Sequence, residues 1–260
     1  MKAIKLGIIG SGNLGVHLCR AFSSSNDIDV TLFSRSGQNT GLINDLKNVV
    51  IEIDQGPLTN EYDVLILAVN DSSIQDVAAQ NKENGALVLH ASGSTDISAI
   101  GAVREKDYGV IYPLQTFHIE NELTYADIPF LIEADSVRNL ALITRLVELI
   151  GAKVHIMSSE NRRIMHLSAV IVNNFSNHLY ALSELFLTSK DLPFDLLLPL
   201  INETANGIGQ RRPSEIQTGP AKRGDKQTIE RHLYMLKENS DLKKIYHQMT
   251  LSIEALYRKR

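Results

Sequence analysis

A glycine triplet at fixed spacing, Gly10-x-Gly12-x-x-Gly15, constrains this chain more than any other feature. It follows a short apolar, strand-like run, Ala3 to Ile9. It precedes Asn13 to Phe22, where Leu14, Leu18, Ala21 and Phe22 recur at helical spacing. A strand turning sharply into a helix uses the first glycine for the turn. The second lets backbone approach a pyrophosphate, and the third packs the helix on the strand. The helix then offers unpaired N–H groups and the positive end of its dipole to phosphates. Gly10, Ser11, Gly12, Asn13, Leu14 and Gly15 are thus the expected dinucleotide-binding turn.

Strand-like runs alternate with helical patterns through the first half. Strands are expected at Asp29 to Phe33, Val49 to Ile53, Asp63 to Val69, Ala86 to Leu89, Gly109 to Tyr112, Phe130 to Glu133 and Lys153 to Met157. Helices are expected around Leu42 to Leu46 and from Ser136 to Ile150. Runs apolar on both faces and separated by helices imply an α/β fold, a Rossmann-like doubly wound and mostly parallel sheet.

After Met157 the strand signals stop. Helices are expected from about Ser159 to Ser189, from about Phe194 to Gly207 and, as a pair, from about Asp225 to Arg260. Leu192-Pro193 and Gly219-Pro220 punctuate them. The expected domains are therefore 1–157, dinucleotide-binding, and 158–260, all-α.

The chain has 260 residues, is 43% hydrophobic and carries a formal net charge of −4, with a pI near 6.1. An acidic balance argues against general nucleic-acid binding, which needs a basic surface. No apolar run reaches about 18 residues, so no membrane span is expected. The N-terminal run contains Lys5 and glycines and lacks a cleavage pattern, so the cytoplasm is the expected location. The single cysteine, Cys19, excludes an intramolecular disulfide and reads as a small packed residue.

Ligands in this fold class lie at the carboxyl ends of the strands, so the residues after Phe33 meet the adenosine ribose. They are Ser34 and Arg35. NAD binders place a carboxylate there, whereas a 2′-phosphate is better met by a hydroxyl and a guanidinium. Asp29 opens its strand and points from the wrong end. NADP(H) is the expected cofactor, with Val69, Asn70 and Ser92 as further contacts; a solvated Arg35 is the competing reading.

In the long helix, at about 100° per residue, His166, Asn173, Asn177 and Glu184 fall on one stripe amid apolar residues. A helix apolar almost all round is expected to be buried. Polar side chains there need a ligand, a subunit contact or a satisfied network. The candidate catalytic residues are His166, as proton donor or acceptor, and Asn173. His90, Gln115, Asn177 and Arg223 are candidate substrate contacts, although for His90 a capping or core histidine is the favoured reading. Lys222 and Arg223 could clamp a carboxylate or phosphate, or form a solvated loop whose Asp225 caps the next helix. His118 and His155 lack ligand spacing, so no metal is expected.

Gly7-Ile8-Ile9-Gly10-Ser11-Gly12-Asn13-Leu14-Gly15, Asp63 to Asp71, His90-Ala91-Ser92-Gly93, Tyr112-Pro113-Leu114-Gln115-Thr116-Phe117 and Thr218 to Asp225 together resemble a family of Rossmann-like NADP oxidoreductases. Its members have a helical C-terminal domain of unknown function. More distantly the chain is similar to pyrroline-5-carboxylate reductase, the deazaflavin-dependent NADP reductases and the 6-phosphogluconate dehydrogenase superfamily. The resemblance implies cofactor binding on the first domain and a site closed by helices of the second, often across a dimer. Where hydroxyacid dehydrogenases of that superfamily carry a lysine four residues before an asparagine, this chain has Ala169 before Asn173 and Asn173 before Asn177. Where prephenate dehydrogenases carry a histidine before a proline, it has Tyr112.

The expected function is hydride transfer to or from a small carbonyl or imine substrate, a carboxylate, by a homodimer joined through the helical domain. The alternative is a non-catalytic NADP-binding sensor or scaffold.

Overall fold

The computed structural model describes residues 2–53, 58 and 62–257. The chain divides into two compact units, Met1–Val172 and Asn173–Arg260. The break falls within the long helix, beyond the point near Met157 where strand patterns end.

The first unit is an eight-stranded sheet in the order β3-β2-β1-β4-β5-β6-β7-β8. Its strands are β1 (Ile4–Ile9), β2 (Ile28–Ser34), β3 (Val49–Ile53), β4 (Val64–Leu67), β5 (Leu87–His90), β6 (Tyr108–Pro113), β7 (Pro129–Ala134) and β8 (Lys153–Ile156). All neighbours are parallel except β6 and β7. A parallel return needs a crossover, usually a helix. The segment between β6 and β7 carries a 3-10 turn, Tyr125–Asp127, and β7 returns antiparallel to β6; β2 and β3 are likewise joined through a 3-10 turn, Thr40–Ile43, yet run parallel.

Helices α1 (Asn13–Phe22), α2 (Ile74–Gln80), α3 (Ser98–Gly101) and α4 (Val137–Glu148) cover the sheet. In β4, Val64 and Ile66 join one buried cluster with α1 and α4 residues, while Leu65 and Leu67 join another with α2 and α3 residues. Burial on both faces is why β4 reads as an unbroken apolar run. The helix expected at Leu42 to Leu46 is instead a 3-10 turn, Thr40–Ile43.

Two polar devices fix the loops. Asn13 Nδ2, His17 Nε2 and Arg20 Nη1 on α1 donate to the carbonyls of Phe117, His118 and Ile119 at 3.0, 2.8 and 2.7 Å. Positions i, i+4 and i+7 share a helix face, so three consecutive loop carbonyls are satisfied by one stripe. Buried Arg104 donates to the carbonyls of Asn81, Lys82, Asn84, Ala86, Lys106 and Asp107, joining the segments that lead into β5 and β6.

The long helix departs from expectation in two ways. It comprises α5 (Ser159–Ala169), a π-helical turn (Val170–Phe175) and α6 (Ser176–Thr188). A π turn, with i→i+5 bonds, carries an extra residue. Spacings through it therefore no longer return side chains to one face, and the stripe drawn through His166, Asn173, Asn177 and Glu184 loses its phase. Nor is the helix buried: Ile164, Leu167, Ile171, Val172, Phe175 and Leu185 are each at least half exposed.

The second unit continues with α7 (Leu198–Gln210), α8 (Pro213–Ile216), α9 (Pro220–Arg223), α10 (Lys226–Met235) and α11 (Ser240–Tyr257). Asp225 caps α10, its carboxylate accepting from Thr228 N–H at 3.1 Å. The final helix is expected to reach Arg260; residues 258–260 lie outside the described residues.

Candidate active site

The carboxyl ends of β1, β2, β4 and β5 bring Gly10, Ser34, Val69 and Ser92 to one edge of the sheet. At Gly10, φ is +115°, and a side chain would run into the carbonyl of Ala68. A side chain at Gly15 would run into the carbonyl of Gly10, which is why α1 can start so close to the strand. Gly12 has open space around it instead, and α1 begins with no side-chain cap on its first-turn N–H groups. Open space, uncapped donors and a helix dipole together fit a pyrophosphate.

Ser34 is buried, and its hydroxyl lies 2.7 Å from that of Ser11 and accepts from Gly37 N–H at 3.0 Å. Asn39 Nδ2 donates to the Ser11 carbonyl at 3.0 Å, so the loop after β2 is folded against the glycine turn. Ser34 therefore shapes that loop, while the exposed Arg35 is the group presented to solvent. Asn13 directs its amide to Phe117, Leu14 is half-buried, and Val69 and Asn70 follow β4 half-buried and exposed.

A second cluster lies past β5 and β6. The Tyr112 hydroxyl is 3.0 Å from His166 Nδ1, with the rings edge to face at 76°. A methyl group at Gly93 would sit 2.6 Å from His166 Nδ1 and 2.7 Å from Tyr112 Cζ, so the backbone of the β5 loop is seated directly against the pair. The Ser92 hydroxyl accepts from Ser94 N–H at 3.1 Å and Thr95 N–H at 3.0 Å and shapes that loop, while Ser94 donates to the Asp71 carboxylate.

His90, a candidate substrate contact that also reads as a capping or core histidine, is the latter: its ring is fully buried and Nδ1 accepts from Ser92 N–H at 3.2 Å. Burial pushes its pKa down to about 4, with the Arg162 guanidinium acting in the same direction. Below it, fully buried Arg162 donates to Glu133 at 2.7 Å, to the Thr95 carbonyl at 2.6 Å and to Ser159 Oγ at 3.0 Å. Burial raises the Tyr112 phenol above its ordinary range, opposed by Arg162 and assisted by Asp71.

Gln115 is exposed, with its side-chain oxygen accepting from Thr116 N–H at 2.8 Å. In the second unit Asn173 and Asn177 are exposed, Asn173 within the π turn and Asn177 in α6. Arg223 lines a cavity of about 460 Å³ with Lys222, Lys226, Glu254 and Tyr257. There Lys222 donates to the Gln217 carbonyl at 2.6 Å and lies 5.2 Å from the Tyr257 ring centroid. Buried Cys19, its thiol pushed up to about 12, is no nucleophile. Among the described residues no three His, Cys, Asp or Glu side chains group as a metal site, and no helix is long and apolar enough to cross a membrane.

Sequence reasoning reaches His166 and misses its neighbours. Tyr112 was legible as part of a motif, without a role. Arg162 precedes His166 by one helical turn, a spacing that places both on one face of α5, yet an arginine in a polar stretch reads as solvated.

Two family models match the chain: an NADP oxidoreductase, coenzyme F420-dependent, over residues 5–92, and a domain of unknown function, DUF2520, over residues 128–253. Among solved structures, a "putative NADP oxidoreductase" from Bacteroides fragilis is 31% identical, with a TM-score of 0.89 over 97% of this chain and 98% of that one. A protein from Thermotoga maritima is 24% identical, with a TM-score of 0.73 over 98% of both chains. The pyrroline carboxylate reductase of Plasmodium falciparum, solved with NADP bound, shares the fold at 15% identity, with a TM-score of 0.56 over 98% of this chain and 99% of that one. No curated protein matches. The chain belongs to the family of Rossmann-like NADP oxidoreductases that carry a helical C-terminal domain of unknown function.

Proposed function

We propose that this protein is an NADP(H)-dependent oxidoreductase acting on a small carbonyl or imine substrate that bears a carboxylate. The observation that carries the reading is the Tyr112–His166 pair, held at 3.0 Å against Gly93. A bound NADPH supplies a hydride. The chain's own part is to orient the dinucleotide and manage one proton.

Gly12 and the first turn of α1 receive the pyrophosphate, and Arg35 meets the 2′-phosphate. Val69, Asn70 and the β5 loop with Ser92 border the rest of the dinucleotide. His166 gives or takes the proton, because an imidazole nitrogen serves as either donor or acceptor. Gln115 on the loop after β6, and Asn173, Asn177 and Arg223 in the helical unit, are the substrate-recognition residues, Arg223 as the clamp for a carboxylate. NADPH oxidation with a panel of keto acids and cyclic imines is the test. Turnover that is lost in His166→Ala supports the reading; cofactor binding with no turnover on any of them counts against it.

A second reading, a non-catalytic NADP-binding scaffold, is favoured by one observation, the row of exposed apolar residues on α5, the π turn and α6. Such a patch suits a homodimer joined through the helical unit. His166→Ala combined with Asn173→Ala discriminates. Loss of the dimer with NADP binding intact favours the scaffold, and loss of turnover in a folded dimer favours the enzyme.

A further inference from the structure

Three stretches distant in sequence, His90-Ala91-Ser92-Gly93, Tyr112-Pro113 and His166, meet at one point. The Tyr112 hydroxyl is 3.0 Å from Nδ1 of His166, and Gly93 leaves no room for a side chain between them. Nε2 of His166 has no hydrogen-bond partner among the described residues, and the residue is half-buried. One ring nitrogen is therefore occupied and the other is open.

We propose that Tyr112 is the positioning residue for His166: its hydroxyl holds Nδ1 in both protonation states of the imidazole, so that Nε2 is the nitrogen that exchanges a proton with substrate. The inference rests on the reading of His166 as proton donor and acceptor.

A hydroxyl can both donate and accept. Neutral imidazole has one donor and one acceptor nitrogen, whereas imidazolium has two donors. A phenol is a stronger donor than an imidazole N–H, and an imidazole nitrogen is a stronger acceptor than a phenol oxygen. In the neutral pair, Tyr112 therefore donates to Nδ1 and the ring proton sits on Nε2. When the ring gains a second proton, at Nδ1, the hydroxyl rotates and its oxygen accepts that N–H. A carboxylate could only accept from Nδ1–H, and an ammonium could only donate to an unprotonated Nδ1.

The proton inventory closes. In reduction the hydride forms the new C–H bond, and the π pair of the C=O or C=N takes the Nε2 proton. His166 is left neutral with its remaining proton on Nδ1, donated to Tyr112 Oη. A solvent proton then returns to Nε2. Tyr112 keeps its own proton throughout, in line with the burial that makes the phenol a weaker acid. In oxidation the imidazolium first gives its Nε2 proton to solvent while Nδ1–H stays donated to Tyr112 Oη, and the freed Nε2 lone pair then takes the substrate's proton as the hydride leaves.

The test is ¹H–¹⁵N correlation spectroscopy of the labelled imidazole at a pH where His166 is neutral, in wild type, Tyr112→Phe and Gly93→Ala. The expected wild-type signature is a protonated Nε2 with Nδ1 at the position of a hydrogen-bonded acceptor. In Tyr112→Phe, Nδ1 moves to the position of a free imine nitrogen and the other tautomer appears. Gly93→Ala, which keeps the hydroxyl but displaces the pair, does the same, so the proposal stays readable if one variant folds poorly. An Nδ1 resonance unchanged by Tyr112→Phe overturns it. Where turnover is measurable, Tyr112→Phe lowers kcat by about 10- to 100-fold with NADPH affinity unchanged, as expected for an orienting group. The spectra need no substrate, so a wild type that turns over nothing counts against the oxidoreductase reading while Nδ1 still decides the role of Tyr112.

Discussion

The guanidinium of Arg162, with no exposed surface, lies 2.7 Å from the Glu133 carboxylate, whose side chain is 20% exposed. The pair ties α5 to β7, and Arg162 extends the tie to the β5 loop through the Thr95 carbonyl. Removing one member leaves a buried charge unpaired, which costs about 3–5 kcal/mol. We expect Glu133→Leu to lose that much in urea unfolding and the double variant with Arg162→Leu to recover part of it. A loss under about 1 kcal/mol would mean that Thr95 and Ser159 satisfy the arginine alone.

His90 makes stability fall on the acid side. Its folded pKa is lowered by burial from 6.5 to about 4. Above pH 6.5 it is neutral in both states and contributes no slope. Between 6.5 and about 4 the unfolded chain binds a proton that the folded chain refuses, so stability drops as pH falls, by about 3 kcal/mol in all. His90→Gln, which keeps an acceptor for Ser92 N–H, should flatten that part of the pH–stability curve. A variant as acid-sensitive as the wild type would assign the slope to other groups.

The glycines of the turn should separate fold from binding. Gly12 has an extended backbone, φ −72° and ψ −177°, and free space, so Gly12→Ala should leave the melting temperature in place while weakening dinucleotide binding. Gly15→Ala forces a methyl group into the Gly10 carbonyl and should cost about 1–3 kcal/mol of stability. Thermal melts and fluorescence titration with NADPH read the two effects independently.

Arg35 carries the choice of nucleotide. Arg35→Glu should weaken NADPH by about 10- to 100-fold, or about 1.4–2.8 kcal/mol, and leave NADH nearly unchanged. Equal weakening of both would reduce Arg35 to a general surface charge.

The α/β class, the strand sequence and the glycine turn were legible because each is written in local periodicity: β1, β3 and β8 lie within a residue or so of their patterned runs. The antiparallel direction of β7 was not, because an apolar run does not record which way its strand is laid against its neighbour. The burial of Ser34 was equally hidden, and His90 read from the sequence both as a core or capping histidine and as a substrate contact. Both residues sit at strand ends where exposure and burial share one sequence pattern, and packing by the neighbouring loop decides between them.

The long helix shows the same limit. An unbroken stripe through His166 and Asn173 assumes α geometry throughout, and the π turn at Val170–Phe175 removes it.

By itself the sequence determined that a strand–glycine turn–helix unit binds a dinucleotide and that a helical segment follows, since backbone conformation and side-chain period are set by neighbours in the chain. Only the tertiary structure decided that Tyr112, rather than an asparagine of the helix, stands beside His166 with Gly93 beneath. Residues on β6, α5 and the β5 loop become neighbours through sheet order and packing, which no local pattern encodes.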